Sequence, residues 1–329
     1  MKNHVSKEVK LAIEPLSQKI EKYAALDYVS GWFMKSSIYI ESRFAKAALV
    51  ATNSLCQGYS VSAFWPYILR NEIEISFAHR SFKWRNNASD NAAVICSIVG
   101  ISQSNNKKRL FSEGIETFPD QINAYLVAGP EVYVKPARKS IFGLPFMDYG
   151  NKPSDGGNLL LSDNEAAAIK DRTPEAGEFI FRYMGSQEVV RGTIRHCLWI
   201  DASSAQRATE IDAVSERIKR VREFRLASSK GRTRRMAERP YAFDEIRVFP
   251  GKPSLLIPCH TGENRDYLPV DRIGERVVSS NANMVLYDAP EWCLALIASR
   301  LHLVWIGTVC GKLKSDFRYS NTLGWNTFP

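Results

Sequence analysis

Ala92 to Ile101 reads Ala-Ala-Val-Ile-Cys-Ser-Ile-Val-Gly-Ile, with Ser97 its one polar side chain. A run this short and this apolar predicts a strand covered on both faces. Upstream, Ile73 to Arg80 (Ile-Glu-Ile-Ser-Phe-Ala-His-Arg) alternates and puts Ile73, Ile75 and Phe77 on one face. Further back, Ala47 to Leu55 (Ala-Ala-Leu-Val-Ala-Thr-Asn-Ser-Leu) is apolar with a polar end, and Val61 to Leu69 predicts a short helix. Strand, helix, strand, loop, strand is one end of an α/β sheet. Three strands are few for a covered sheet, so the chain reads as entering its fold halfway. The free edge is expected to leave residues 1–110 mobile or aggregation-prone unless it is paired.

Outward from this core, residues 7–44 read as helix, with Leu26, Val29, Phe33 and Ile40 at near-helical spacing. Residues 102–114 are polar and read as a boundary. Beyond them Gly and Pro punctuate short runs. Strands are expected at Glu178 to Tyr183, His196 to Ile200, Ser254 to Pro258 and Val277 to Ser280. A long helix is expected from Thr209 to Ala227, with Ile211, Val214, Ile218, Val221 and Phe224 as its apolar stripe. Glu291 to Thr308 returns to a helical pattern.

The 329 residues suffice for about two domains, and 45% hydrophobic with 24% charged residues is globular in kind. The most apolar long stretch, Cys293 to Cys310, contains Arg300 and His302, so no membrane span is expected. The start carries no apolar leader, and six scattered Cys form no disulfide framework. A reducing cytoplasmic setting is the expectation. The net charge of +9 is concentrated. Between Arg217 and Arg239 ten basic residues face only Glu223 and Glu238. Such a stretch suits nucleic acid through counterion release, or else any polyanion, or a solvated helix face.

Seven segments, in this order, resemble one family. They are Ala51–Gly58 (Ala-Thr-Asn-Ser-Leu-Cys-Gln-Gly), Phe77–Ala88 with Phe82-Lys83-Trp84 at its centre, Gly150–Asn158, Tyr183–Glu188, Arg222–Ser228, Cys310–Ser320 and Asn326–Pro329. Together they resemble the MmeI-like DNA methyltransferases, fused restriction-modification enzymes that methylate adenine N6. The resemblance implies the C-terminal half of a Rossmann-like α/β methyltransferase sheet over residues 1–112. An α+β target-recognition domain would follow over 113–288, and a short helical C-terminal segment would begin over 289–329. It implies S-adenosylmethionine as cofactor in the intact enzyme and double-stranded DNA as partner. The family's Asn-Pro-Pro-aromatic motif and Asp-x-x-x-Gly-x-Gly loop do not occur in these 329 residues. Cofactor binding and turnover by this stretch alone are therefore not expected, and no catalytic residue is assigned within it.

An enzyme working on adenine N6 must take the base out of the stack and hold it against apolar and aromatic groups. Phe82 and Trp84, in the loop joining the second and third strands, are the stacking candidates, with amphipathic packing as the alternative. Lys83, Arg80 and Arg85 could meet flanking phosphates. Asn53 and Gln57, at the end of the first strand, could touch base or backbone if the sheet is doubly wound, or could simply close a polar turn. Arg217, Arg220, Arg222, Arg225, Lys230, Arg232, Arg234 and Arg235 form the expected phosphate clamp. Glu263 and Arg265, set on one strand face, could read a G·C pair, or could be an exposed ion pair. The adjacent pairs His196-Cys197 and Cys259-His260 lack metal-ligand spacing, so no metal site is expected. Two readings follow. In one, the chain is the DNA-gripping part of an adenine-N6 methyltransferase. In the other, it is half of a split enzyme whose N-terminal partner is another polypeptide.

Overall fold

Apolar alternation and β-branched runs give five strands in one sheet. The computed structural model describes residues 26–43, 45–84, 94–103, 107–247 and 249–329. The chain divides into two units, residues 1–142 with 304–329, and residues 143–303.

In the first unit the described elements begin with α1 (Val29–Arg43), β1 (Lys46–Thr52), α2 (Tyr59–Ile68), β2 (Ile73–Trp84) and β3 (Val94–Gln103). Two short strands, β4 (Arg109–Ser112) and β5 (Ile115–Thr117), complete the sheet in the order β1-β3-β2-β4-β5. β3 runs antiparallel to both β1 and β2. β1 and β2 are therefore parallel, joined by the α2 crossover, with the apolar hairpin strand inserted between them. The expected part of an α/β methyltransferase sheet is what the chain forms. The sequence reading of 7–44 as helix holds for Val29–Arg43; its first part lies outside the described residues. β2 outruns its expected end by four residues, because the aromatic stretch to Trp84 continues the ladder with β3.

Period decides what each element buries. α2 turns Val61, Phe64, Trp65 and Ile68 inward, and the Trp65 indole donates to the Leu55 carbonyl at 2.9 Å. These residues join Phe33, Ile75, Val99 and Ile101 in one core. Gly100 is required here: a Cβ would stand 2.2 Å from the Phe77 ring. β1 is the outermost strand among the described residues, and its Val50 is exposed, as are Trp32, Ile38 and Tyr39 on α1.

The second unit holds two four-stranded sheets. One comprises β6 (Met147–Tyr149), β10 (Ser254–Pro258), β12 (Asp271–Ile273) and β14 (Asn283–Tyr287), antiparallel throughout. The other comprises β7 (Leu160–Ser162), β8 (Ile180–Met184), β9 (Arg195–Leu198) and β13 (Val277–Ser279). Its β8–β13 pair is parallel. This is the α+β arrangement expected after the first sheet. Helix α3 (Asp163–Arg172) starts on a capping box, in which Ser162 accepts from the Glu165 N–H and the Glu165 carboxylate accepts from the Ser162 N–H. Helices α4 (Ser186–Arg191), α5 (Ala205–Thr209) and α6 (Asp212–Leu226) follow, with a five-residue α7 (Gly231–Arg235) after them.

Toward the C-terminus the expected helical pattern is broken into α8 (Trp292–Ile297) and α9 (Arg300–Val309). The break falls at Ser299, whose hydroxyl accepts from the His302 N–H. His302 is fully buried, and desolvation pushes its pKa from 6.5 down to about 4. Protons then bind the unfolded chain more readily than the folded one. The stability that neutral His302 confers is complete above about pH 6.5 and declines as the pH falls toward 4. Urea unfolding at pH 4.5 should show about 2 to 3 kcal/mol less stability than at pH 7 from this residue. His302→Leu should remove that component of the pH dependence; an unaltered pH profile in the variant would refute it.

Candidate nucleic-acid interface

Two regions, one in each unit, collect the residues singled out from sequence. The first lies at the carboxyl edge of β1 and β2. Thr52 and Phe82 both stand opposite Cys96 of β3. They are therefore level, about two strand spacings or roughly 10 Å apart. Asn53 follows Thr52 immediately, in a 3-10 turn of residues Asn53–Cys56. Register thus brings Asn53, Gln57, Arg80, Phe82 and Trp84 to one edge of one sheet.

Phe82 and Trp84 lie on the strand itself, not in the loop beyond it, and their ring centroids are 6.4 Å apart. Trp84 is 44% exposed. His79 braces Phe82 edge-on at 5.0 Å and stacks on Phe111 at 6.0 Å. The result is a row of aromatic groups held from one side and open at Trp84. Alternation sends Lys83 to the opposite face, so it does not join the rings. Arg85 lies outside the described residues.

Between His79 and Phe82 the ladder skips. His79 pairs with Ile98 and Phe82 with Cys96, so Arg80 and Ser81 together face the single residue Ser97. That is a β-bulge, and it turns Arg80 out of the strand toward Asn53 and Gln57. These residues, with Lys312, line one cleft. Lys312 begins β15 (Lys312–Leu313), which pairs with β16 (Asp316–Arg318). Its backbone N–H donates to the Gln57 carboxamide oxygen at 3.0 Å. No spacing rule could have attached Lys312 to Gln57; only the closed chain does.

The second region is α6 with α7. α6 buries Val214, Ile218, Val221 and Arg225, and Phe224 is 45% exposed. The expected stripe is therefore corrected at its end: Arg225, not Phe224, completes the inward row. Arg225 is also removed from the phosphate clamp. It is 0% exposed and donates to five carbonyls: Pro153, Ser154, Met236, Arg239 and Ala242, at 2.7–3.1 Å. Burial lowers its pKa, opposed by the nearby Asp244 and Asp155 carboxylates. An arginine remains charged there, so the five carbonyls are its hydration shell.

Other expected clamp residues are also engaged. Arg217 donates to the Asn158 and Leu160 carbonyls and pairs with Glu165. The Ser162 hydrogen bonds, followed by the Arg217 bond, hold the Glu165 carboxyl down at about 2. Arg220 pairs with Glu216 one turn away, Arg232 stands 3.7 Å from both Asp244 and Glu245, and Arg234 donates to the Ser228 carbonyl. Arg222, Lys230 and Arg235 have exposed side chains and no carboxylate partner among the described residues, and so has Lys219, which the sequence reading did not single out. These four are the cations best placed to meet a phosphate.

Glu263 and Arg265 are both exposed, but not on a strand face. They occupy the turn after β11 (His260–Thr261). A turn can present both to a groove, although it does not fix their mutual geometry as a strand would. Among the described residues no group of His, Cys, Asp and Glu is gathered to hold a metal, and no helix is long and apolar enough to cross a membrane. All six Cys are buried. Desolvation pushes the Cys56 and Cys310 thiols up to about 12 and that of Cys293 to about 11, so these three are held as thiols.

Comparison with known proteins bears on both regions. A family model described as the MmeI target recognition domain matches residues 128–329, and one described as the MmeI DNA-methyltransferase domain matches residues 2–112. DNA methyltransferase A of Bacillus subtilis (strain 168) is 35% identical over 326 residues, which are 98% of this chain and 37% of that protein. The solved structure of the Type IIL restriction-modification enzyme MmeI in complex with DNA aligns with a TM-score of 0.88 at 36% identity. That alignment covers 98% of this chain and 44% of the other. The chain thus spans less than half the length of either relative.

Proposed function

This chain belongs to the MmeI family of DNA methyltransferases with a target-recognition domain, and from that premise we propose that it grips duplex DNA, inspects its bases and receives an extruded adenine destined for methylation at N6. The observation that carries this reading is the carboxyl edge of the first sheet, where Phe82 and Trp84 form an open aromatic row beside Asn53, Gln57 and Arg80. Residues 1–112 act as the methyltransferase part, 113–288 as the recognition domain and 289–329 as the start of a helical segment. Buried thiols that form no disulfide suit a reducing cytoplasm.

Each residue set has one task. The aromatic row offers a face to the flipped base. Lys219, Arg222, Lys230 and Arg235 neutralise backbone phosphates and set position without reading sequence. Glu263 and Arg265 are the candidates for reading base edges, with Arg suited to guanine O6 and N7 and Glu to cytosine N4. S-adenosylmethionine, when bound to the intact enzyme, supplies the methyl group. The cleft at Asn53 does not fit it: Arg80 and Lys312 line that cleft without a carboxylate, which is the wrong charge for a sulfonium. The family's Asn-Pro-Pro-aromatic motif and Asp-x-x-x-Gly-x-Gly loop are likewise absent from the sequence, so neither the cofactor pocket nor the group that orients the adenine amine is assigned among these residues. A second reading shares every contact named here but places the cofactor-binding residues on a separate N-terminal polypeptide. Methyl transfer on mixing with such a partner would distinguish the two.

Binding to a 30-base-pair duplex, followed by fluorescence anisotropy across a salt series, tests the reading. Four phosphate contacts predict a log–log slope of about −3.6. Arg222→Gln and Lys230→Gln should each shrink that slope by about 0.9 and weaken binding to all sequences alike. Absence of binding, or binding indifferent to salt, would overturn the assignment.

A further inference from the structure

The cleft at the carboxyl edge has a composition that the base-stacking row does not explain. The Asn53 side chain, on a residue 7% exposed, is part of its lining. Its amide nitrogen can donate to a ligand oxygen there. Above it stand two cations. Arg80 is aimed by the bulge and has no carboxylate beside it among the described residues. The Lys312 backbone is held by its bond to Gln57, and its ammonium lies 5.3 Å from the centroid of the Phe317 ring. Gly58 makes that junction possible: at φ +58, a Cβ on it would stand 3.3 Å from the Gly311 nitrogen. The Gln57 oxygen accepts from the Lys312 N–H, and its amide nitrogen adds two N–H donors. The lining therefore presents donors and positive charge, and no carboxylate.

Charge narrows the ligand further. A lining that carries Arg80 and Lys312 and no carboxylate suits the non-bridging oxygens of a phosphodiester. We propose that the cleft formed by Asn53, Gln57, Arg80 and Lys312 seats one DNA backbone phosphate, that of the nucleotide whose base lies against Phe82 and Trp84. The inference rests on the base-extrusion reading above and adds to it the anchor of the extruded nucleotide. Thr52 and Phe82 are level across β3 and roughly 10 Å apart. One nucleotide can therefore lay its base on the rings while its phosphate stays in the cleft. Holding both ends restricts the base to one orientation, the condition for in-line transfer to its amine.

The test uses the intact 329-residue chain and a duplex with one adenine opposite an abasic site, an extrusion-ready base. Each phosphate within three positions of that adenine is replaced in turn by an uncharged methylphosphonate. Neutralising one position should weaken binding about tenfold, while its neighbours matter less. Arg80→Gln should weaken binding to the unmodified duplex about tenfold and become indifferent to that one position. A thermal melt matching the parent chain would show that the variant is folded. Should Arg80→Gln bind like the parent, or stay sensitive at the same position, the phosphate seat is wrong. Arg222→Gln would in that case still weaken binding and leave the broader DNA-binding reading standing. If the parent chain does not bind the duplex at all, that reading falls and the phosphate seat with it.

Discussion

Arg225→Met should cost about 3 to 5 kcal/mol of stability and lower the melting temperature by about 10 °C. The substitution keeps much of the volume and removes every donor. Five carbonyls would lose their partner, those of Pro153 and Ala242 in buried bonds and those of Ser154, Met236 and Arg239 in partly buried ones. Each orphaned acceptor is penalised, although neighbours relax and the penalties do not add. Arg225→Lys should recover little, because one ammonium cannot reach acceptors spread around a planar guanidinium. Fluorescence of Trp199, packed 5.2 Å from Phe243 in the same unit, can follow the unfolding. An unchanged melt would refute the structural role. Loss of DNA affinity in a variant that melts normally would return Arg225 to the phosphate clamp.

Phe82→Ala should weaken binding to a duplex carrying an adenine opposite an abasic site by at least about tenfold, within the range of about 1 to 3 kcal/mol per stacked base. Binding to a fully paired duplex should change less, since phosphate contacts dominate there. Trp84→Ala should act in the same direction and nearly without effect on stability, because its ring is already half in solvent. Replacing the adenine by 2-aminopurine supplies a direct readout: its fluorescence should be quenched on binding to the parent chain and less so on binding to Phe82→Ala. Equal quenching in both would exclude Phe82 as the stacking surface.

Much of this architecture was legible beforehand. The apolar run at Ala92–Ile101 and the alternation at Ile73–Arg80 became β3 and β2, and Ser254–Pro258 became a strand with those same ends. What could not be read was order and direction. Nothing in the runs themselves says that β3 lies between β1 and β2, since pairing is decided between strands and not within them. The helix stripe failed for a related reason. After Val221, one turn onward is either 224 or 225, and a reading by hydrophobicity takes Phe224. The chain instead takes Arg225, because five carbonyls converge there and make a polar burial favourable. Glu263 and Arg265 were misplaced onto a strand because β11 ends after two residues. Lys312 was invisible as a partner of Gln57 because 255 residues separate them.

The six buried thiols have a use that chemistry at the surface would not allow. Cys56, Cys96 and Cys310 belong to the first unit, and Cys197, Cys259 and Cys293 to the second. An alkylating reagent can reach each only when the surrounding structure opens. Mass spectrometry of a labelling time course would therefore clock the breathing of the two halves separately, and a duplex that clamps one half would slow its three clocks while leaving the other three running.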